Sequence, residues 1–346
     1  MVPKTLNMLA DVFGKPVEDL EEVSRVYPFA ITSFLIRRVE EGTYSPEALR
    51  QFIPDIRELQ QVEGFSEDPT HEENFRPKKS VLHVYDNRTV IILSHRCLVY
   101  CRFCFRKFFV GFPEHAISDE QLNEAFAYVM AHPEIEDVIL SGGDPLAVPN
   151  RRLIPFLRKL TAIPHIKVIR IDSRAISTHP ERIDDELIDF LRSDKRFWYY
   201  AHMNHPDDID HPDVFAAINR LVSIGVVVRN QCVILRAVND NVETMTRLMN
   251  LCYQHKVQPY NLYIFDRVRG GAHFDVSNER IVEICAALSQ LPGPAQPVLV
   301  YTDELSRKHR AVYDDPDDLQ TFLARRDTFL ARNIKDSTSE PVLSGV

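Results

Sequence analysis

Three closely spaced cysteines constrain this chain more than any other feature. Cys97, Cys101 and Cys104 form a C-x3-C-x2-C triplet after an apolar run at 90–93 that is typical of a β-strand. Three thiolates in one loop can bind three irons of a [4Fe–4S] cube and leave the fourth iron without a protein ligand. A structural zinc site usually needs a second, distant ligand pair, which the sequence lacks. The triplet therefore predicts a cluster whose open iron can bind a small chelating molecule.

Composition narrows the class of protein. The chain has 346 residues, of which 45% are hydrophobic, enough for one large core or two modest ones. Its net charge of −9, without a basic block, argues against nucleic acid as a partner. The sequence shows no apolar run of membrane-spanning length and no secretory segment, so we expect a cytoplasmic protein that does not bind membranes. Disulfides are not expected, and the remaining cysteines are interpreted as small buried hydrophobic residues: Cys232, Cys252 and Cys285.

Strands and helices alternate from about residue 80. The predicted strands are 90–93, 137–140, 167–171, 197–201, 226–233 and 260–265. The predicted helices are 118–131, 150–161, 184–192, 212–224, 241–255 and 277–288. Because each strand is followed by a helix, this order predicts an α/β fold, a partial (βα)6 barrel with a parallel sheet.

Two further segments flank the predicted barrel at 80–312. Residues 1–79 are predicted to form an N-terminal helical extension and linker, and the polar stretch 54–79 is interpreted as a surface connection. Residues 313–346 are predicted to form a C-terminal helix, at 319–332, and a tail that we expect to be disordered. That helix is consistent with a homodimer contact and equally with packing inside a monomer.

Functional side chains of a parallel barrel lie at the carboxyl ends of its strands. Paired glycines after the second strand permit close approach of the backbone to a ligand. An arginine after the third strand offers a fork that suits a carboxylate. Zinc at the histidines after the fourth strand is not favoured, because no further ligand has suitable spacing. The candidate residues in these loops are Ser141, Gly142, Gly143, Asp144, Ser173, Arg174, His202, Asn204 and Gln231.

Together these motifs resemble radical S-adenosylmethionine (SAM) enzymes. The runs CRFCFRKFF, SGGDPL and NQCVILRAVND are similar to those of the lysine 2,3-aminomutase family, and most similar to its elongation factor P branch. The resemblance covers residues 54–290 and implies a [4Fe–4S] cluster on the three cysteines, with SAM on its open iron and bound by the loop residues above. An electron donor such as flavodoxin or ferredoxin would then trigger SAM cleavage to a 5′-deoxyadenosyl radical, which abstracts hydrogen from an amino-acid substrate.

The resemblance also implies roles for individual residues. Arg106 matches the arginine that receives the substrate carboxylate, and Asp266 matches a carboxylate that receives a side-chain ammonium. Arg88 matches a basic residue near the phosphate of pyridoxal phosphate (PLP), but the second basic position of the family is Val84 here. Lys308 stands at about the position of the Schiff-base lysine, in a stretch that lacks the family's glycines and Thr-Pro.

Two functions follow from two interpretations of Lys308. If Lys308 binds PLP, the chain is an isomerase that catalyses a 1,2-amino shift. If Lys308 is a solvated lysine in a basic run, the chain catalyses a PLP-independent radical reaction on a free or tethered basic amino acid, such as epimerisation, dehydrogenation or dehydration. A third alternative, an electron-carrying cluster protein, needs no open iron and is disfavoured by the SAM-side motifs.

Overall fold

The computed structural model describes residues 2–313 and 315–337, and its strands form one open sheet. Neighbours in the sheet follow chain order, with parallel pairing from β2 to β8 and antiparallel strands at the two edges. The predicted α/β partial barrel is confirmed, because the two edge strands do not pair with each other. The strands are β1 (Val81–Tyr85), β2 (Arg88–Ser94), β3 (Asp137–Gly142), β4 (Val168–Ser173), β5 (Phe197–Ala201), β6 (Val227–Val233), β7 (Val257–Tyr263), β8 (Val298–Thr302) and β9 (Lys308–Ala311).

The six predicted strands correspond to β2 to β7, and the six predicted barrel helices begin and end within one residue of those in the structure. Polar caps explain this agreement: Ser118, Asp184 and Asn241 each accept a hydrogen bond from the first turn of their helix. The helices are α1 (Val2–Phe13), α2 (Val17–Val26), α3 (Ser33–Glu40), α4 (Pro46–Leu49), α5 (Asp119–Ala131), α6 (Asn150–Thr161), α7 (Ala175–Thr178), α8 (Asp185–Arg192), α9 (Pro212–Ser223), α10 (Val242–Gln254), α11 (Asn278–Leu288) and α12 (Pro316–Ser337).

The two faces of the curved sheet differ in polarity. Outward side chains such as Val138, Ile169 and Val228 pack under the helices in one core, which also includes residues of α1 to α4. Because side chains alternate along a strand, their neighbours face the space that the sheet surrounds, which we call the lumen. In most parallel barrels this space is filled by branched apolar side chains. Here the contacts among polar and aromatic side chains indicate a lining of Arg88, Asp137, Arg170, Asp172, Tyr200, Arg229, Gln231, Tyr260, Tyr263, Lys308 and Arg310.

The C-terminal helix α12 is longer than predicted and packs on the core through Leu319, Phe322 and Leu323. Its last residues precede 338–346, so the predicted disordered tail lies outside the described residues. The division at 79 and 312 stays a prediction, since the extension, the barrel and α12 share one core. None of the helices within 2–313 and 315–337 is long and apolar enough to cross a membrane.

The stretch 54–79 is more than the surface connection that its polarity indicated. Glu58 is fully buried and accepts hydrogen bonds from Arg102 (Nε–Oε1 2.9 Å, Nη2–Oε2 2.6 Å) and from Lys107 (Nζ–Oε2 2.5 Å). Burial raises the pKa of Glu58, but the two cations outweigh burial and the pKa lies below its ordinary value. Burial lowers the pKa of Lys107 to about 8. Arg102 lies between Cys101 and Cys104, so this buried ion triad holds the cysteine loop to the N-terminal extension.

Replacing Glu58 by glutamine is expected to lower the free energy of unfolding by about 3–5 kcal/mol, because it leaves two buried cations without a counter-charge. Urea denaturation of the cluster-free protein measures this change. Glu136→Gln is the matched control, since Glu136 pairs with Lys167 on the surface and its loss is expected to cost less than about 1 kcal/mol. Equal losses in the two variants would contradict a special role for the triad.

Candidate active site

The cysteine loop follows β2 at the carboxyl end of the sheet, as the sequence predicted. Burial raises the pKa of all three thiols, and it raises that of Cys104 to about 12. Each thiolate would also repel its neighbours, because Cys101 and Cys104 contribute to the raised pKa of Cys97. The thiols are therefore protonated without metal, and iron binding must expel these protons.

The donor set fits a cluster better than a single metal ion. Within the described residues, no three Cys, His, Asp or Glu side chains converge on a position for one ion. A [4Fe–4S] cube requires no such convergence, because each thiolate binds a different iron. The other cysteines, Cys232, Cys252 and Cys285, are buried in β6, α10 and α11, as expected for small hydrophobic residues. Three thiols in one loop thus suit a cube with one open iron.

The paired glycines pack the loop after β3 against the cysteine loop. The backbone N–H of Gly143 donates to Ser94 O (2.6 Å), and that of Asp144 donates to Arg96 O (2.8 Å). A Cβ on Gly143 would lie 2.2 Å from Arg96 O, and Gly142 has φ +117°. The sequence predicted a close approach to a ligand, whereas the close approach in the structure is to the backbone that carries the cysteines.

Asp144, Ser173 and Arg174 join the loops after β3 and β4 beside the cysteines. The buried carboxylate of Asp144 accepts from Ser173 Oγ (2.7 Å) and from the backbone N–H of Arg174 (2.9 Å). Arg174 Nη1 donates to Cys101 Sγ (3.1 Å), and its Nη2 donates to Asp208 Oδ2 (3.2 Å). Its Nε is buried without a partner in the described part of the chain. A free guanidinium donor next to a cluster cysteine suits the carboxylate of SAM.

Asp208 is buried and accepts several hydrogen bonds, although no sequence pattern distinguishes it from the neighbouring acidic residues. It accepts from Tyr44 Oη, from the backbone N–H of Asn204 (2.8 Å) and from Gln51 Nε2 (3.3 Å). Asn204 Nδ2 donates to Gln51 Oε1 (2.9 Å), and its Oδ1 accepts from the Val233 N–H (2.8 Å). Both polar atoms of the Asn204 side chain thus have protein partners, which favours a positioning role for this candidate SAM residue.

His202 forms an aromatic surface with Phe103 of the cysteine loop. The two rings are stacked with their centroids 5.6 Å apart. Burial lowers the pKa of His202 to about 3, so its ring is neutral. A flat uncharged surface beside the cluster is available to an apolar or aromatic part of a ligand.

Arg106 lies at the mouth of the lumen and already binds a carboxylate. Its Nε and Nη2 donate to the two carboxylate oxygens of Glu72, each at 2.7 Å. Its Nη1 donates to Ser141 Oγ and to Gly142 O, both at 3.2 Å. Glu72 belongs to the 54–79 stretch, which therefore covers this arginine. The bidentate geometry shows that the position accepts a carboxylate, and an external carboxylate must exchange with Glu72.

Asp266 and Lys308 lie close enough for their charges to interact, and Asp266 is hydrogen-bonded to Thr302, which pairs with Lys308 between β8 and β9. Burial raises the pKa of Asp266 to about 7, Lys308 lowers it, and Glu72 raises it further. Lys308 Nζ donates to Tyr263 Oη (2.6 Å). Burial lowers the pKa of Lys308, but Tyr263 and Asp172 outweigh it and the pKa lies above its ordinary value. Although protein surrounds its amine, the Lys308 side chain is accessible to solvent, as expected for a residue that lines an open lumen.

A hydrogen-bonded series of lumen side chains ends at Lys308. Gln231 Nε2 donates to Asp172 Oδ2 (3.0 Å), and Tyr263 Oη donates to Gln231 Oε1 (2.9 Å). Gln231, a candidate SAM residue, thus lies with Lys308 in the lumen. Asp172 Oδ1 is buried without a partner among the described residues. This orphaned acceptor near an amine shows that the lumen suits a polar ligand.

Arg88 is linked to Lys308 through one aromatic ring. Its guanidinium lies 3.7 Å from the centroid of Tyr85, and Tyr85 Oη accepts from the backbone N–H of Lys308 (2.7 Å). The first and last strands, which do not pair, are thus bridged by a side chain. The structure brings Arg88, Lys308, Asp266 and Arg106 to one lumen, and it places the cysteine loop at its mouth.

Residues 91–249 match the family model of the Radical SAM superfamily. With the cysteine loop at the mouth of a partial barrel, this defines the chain as a radical SAM enzyme, which uses a [4Fe–4S] cluster and SAM, as predicted. L-lysine 2,3-aminomutase of Escherichia coli (strain K12) is 36% identical and aligns over 83% of this chain and 87% of that protein. The enzymes of that name from Fusobacterium nucleatum and Haemophilus influenzae are each 32% identical, over 85% and 82% of this chain and 69% and 85% of their own lengths.

The chain belongs to the lysine 2,3-aminomutase family and is an isomerase, which confirms the family and the enzyme class expected from the motifs. The similarity extends over most of the chain. The elongation factor P branch stays a prediction, since the relatives do not distinguish it.

Replacing any one of Cys97, Cys101 or Cys104 by alanine is expected to reduce bound iron from about four per chain to less than about one, because each thiolate holds a different iron. Iron and sulfide analysis with the visible spectrum measures the loss after anaerobic reconstitution. Cys285→Ala is the matched control, since Cys285 is buried in α11 and is expected to leave iron content unchanged. Full iron content in a Cys104→Ala protein would contradict the assignment.

Proposed function

We propose that the chain catalyses a radical 1,2-amino shift on a basic amino acid, with lysine as the first candidate, and that it holds PLP through Lys308. The observation that carries this proposal is the position of Lys308 in the same lumen as Asp266, beneath the Arg106–Glu72 pair. A substrate carboxylate, a substrate ammonium and a reactive amine would therefore meet in one place.

When bound, the cluster and SAM supply a 5′-deoxyadenosyl radical, and PLP supplies a conjugated ring that delocalises an unpaired electron. The chain's own residues bind and orient SAM, PLP and the substrate. Arg174 offers its unpartnered Nε to SAM, and Arg88 and Lys308 hold the two ends of PLP. We propose that other residues bind SAM directly or position the loops that bind it. These residues are Ser141, Gly142, Gly143, Asp144, Ser173, His202, Asn204 and Gln231.

Substrate recognition depends on the two charged ends of a basic amino acid, its carboxylate and its side-chain ammonium. Arg106 receives the substrate carboxylate when Glu72 leaves, so the same fork stays satisfied before and after binding. Asp266 receives the side-chain ammonium, which selects a basic amino acid. Glu72 holds the mouth of the lumen closed to carboxylates until a substrate competes for Arg106.

A PLP-independent radical reaction on a basic amino acid is the second candidate. The raised pKa of Lys308 favours it, because a protonated amine does not attack an aldehyde. Val84, at the position of the family's second basic residue, favours it as well.

Several partner assignments accompany the proposal. The cluster needs a one-electron donor, for which we propose flavodoxin or ferredoxin. A cytoplasmic location would keep the thiols reduced. A homodimer through α12, and the division into an extension, a barrel at 80–312 and a C-terminal segment, stay predictions.

Anaerobic reconstitution followed by addition of PLP, borohydride reduction and peptide mapping tests the proposed function. We expect a stable pyridoxyl adduct on Lys308, SAM cleavage under reduction, and conversion of lysine to β-lysine. Lys308→Arg should lose the adduct, whereas the exposed Lys167→Arg should retain it. SAM cleavage without an adduct would support the second candidate, and absence of SAM cleavage would overturn the radical mechanism.

Substrate binding is expected to strengthen as the pH rises through about 7. The pKa of Asp266 is about 7, so below that pH its carboxyl is mostly neutral and cannot pair with an ammonium. KM for lysine should fall by up to tenfold per pH unit below the pKa and then level off. Asp266→Asn should raise KM about ten- to a hundredfold and remove this pH dependence. A pH profile of KM that is the same in both proteins would exclude Asp266 as the ammonium site.

A further inference from the structure

Three arginines of the lumen have no carboxylate partner among the described residues: Arg88, Arg229 and Arg310. Arg170, by contrast, makes two hydrogen bonds to Asp137, at 2.9 and 2.5 Å. Asp172, the remaining acid on the strands, bonds to Gln231. The lower lumen therefore carries an excess of positive charge, on the half-buried Arg88 and Arg229 and on the solvent-exposed Arg310, and this excess attracts an anion.

Two of these arginines contact the same ring. The guanidinium of Arg229 lies 4.6 Å from the centroid of Tyr260, and Arg310 lies 5.4 Å from it and donates to its hydroxyl (2.9 Å). Arg229 also donates to Gln258 Oε1 (2.9 Å) and Tyr200 Oη (3.1 Å). All these partners are neutral, so they orient the guanidinium groups without cancelling their charge.

Arg88, Arg310 and Lys308 border the same space. Arg310 is two residues after Lys308 on β9, so both side chains point to the lumen, with Cα atoms about 7 Å apart. Arg88 lies on Tyr85, which binds the Lys308 backbone. A ligand that reacts with the Lys308 amine would thus have cations within the reach of a short substituent.

We propose that Arg310 and Arg229, together with Arg88, form the subsite for the phosphate dianion of PLP. This rests on the proposed role of Lys308. PLP carries its aldehyde and its phosphate arm on adjacent ring atoms, and β9 presents an amine and a guanidinium side by side. The segment that departs from the family around Lys308 supplies Arg310, and so replaces the basic residue that is missing at Val84.

The phosphate subsite can be tested separately from the Lys308 amine. Calorimetric titration uses four probes on the reconstituted protein: PLP, pyridoxal without phosphate, 4-deoxypyridoxine 5′-phosphate without aldehyde, and inorganic phosphate as competitor. Borohydride trapping in parallel reports on Lys308. The variants are Arg310→Gln and Arg229→Gln, and Arg307→Gln is the matched control because Arg307 is exposed just before β9.

Arg310→Gln and Arg229→Gln should each raise the Kd of both phosphorylated probes about tenfold or more, and leave the Kd of pyridoxal unchanged. Inorganic phosphate should compete with 4-deoxypyridoxine 5′-phosphate and not with pyridoxal. Arg307→Gln should bind all probes as the unmodified protein does. If phosphorylated probes bind no tighter than pyridoxal, or if Arg307→Gln weakens them equally, the subsite is refuted.

Two remaining outcomes separate this inference from the proposed function. Phosphate-dependent binding without any Lys308 adduct would refute the role of Lys308 and support the arginine subsite. An adduct whose formation is insensitive to the Arg310 and Arg229 substitutions would support the aminomutase proposal and refute the subsite. Arg310→Lys, which keeps the charge but loses the fork, should have an intermediate Kd if the subsite is correct.

Discussion

The buried contact of Glu58 with Arg102 and Lys107 is the constraint on which the cluster face depends. One buried carboxylate is the shared counter-charge of two cations of the cysteine loop, and removal of Glu58 would leave both cations unpaired in a low-dielectric interior. The backbone supports the same arrangement, because the Arg102 N–H donates to Gln51 O (2.8 Å) and the Tyr100 N–H donates to Ala30 O (3.1 Å). The N-terminal extension therefore forms one wall of the site.

A second network of hydrogen bonds, centred on Asp208 and Arg174, positions the residues that we propose bind SAM. Asp208 and Arg174 link the loops after β4 and β5 to Cys101, and the pKa of Asp208 is held below its ordinary value by Arg174 in spite of burial. The glycines after β3 close the remaining side by contact with the cysteine loop. Rigid support from three strands and the extension is the preorganisation that controlled radical chemistry requires.

The lumen has two regions that differ in whether their charged side chains are paired. Near its mouth, Arg106 is paired with Glu72, and these residues and Asp266 are the charges that we propose meet a zwitterionic amino acid. Deeper, Arg229 and Arg310 contact only neutral groups, and we propose that a phosphate meets their charge. The resemblance to the family rests on the motifs around the cluster, and residues 301–310, which include Arg310, lack the glycines and Thr-Pro that the resemblance leads us to expect. This segment includes Lys308 and Arg310 of β9, and Arg229 of β6 contacts the same Tyr260 ring as Arg310.

The sequence alone determined the cluster cysteines, the family and the strands β2 to β7, because thiol spacing, periodicity and helix caps are local properties. The strands β1, β8 and β9 were missed; β9 is short and polar, and its pairing with β8 joins residues that local patterns do not connect. Glu58, Glu72 and Asp208 gave no signal, because a single acidic residue among many is distinguished only by the cations that folding brings to it. Only the tertiary structure placed the Lys308 amine beside Tyr263 in the lumen, because the face of a strand on which a lysine lies is decided by packing across the whole sheet.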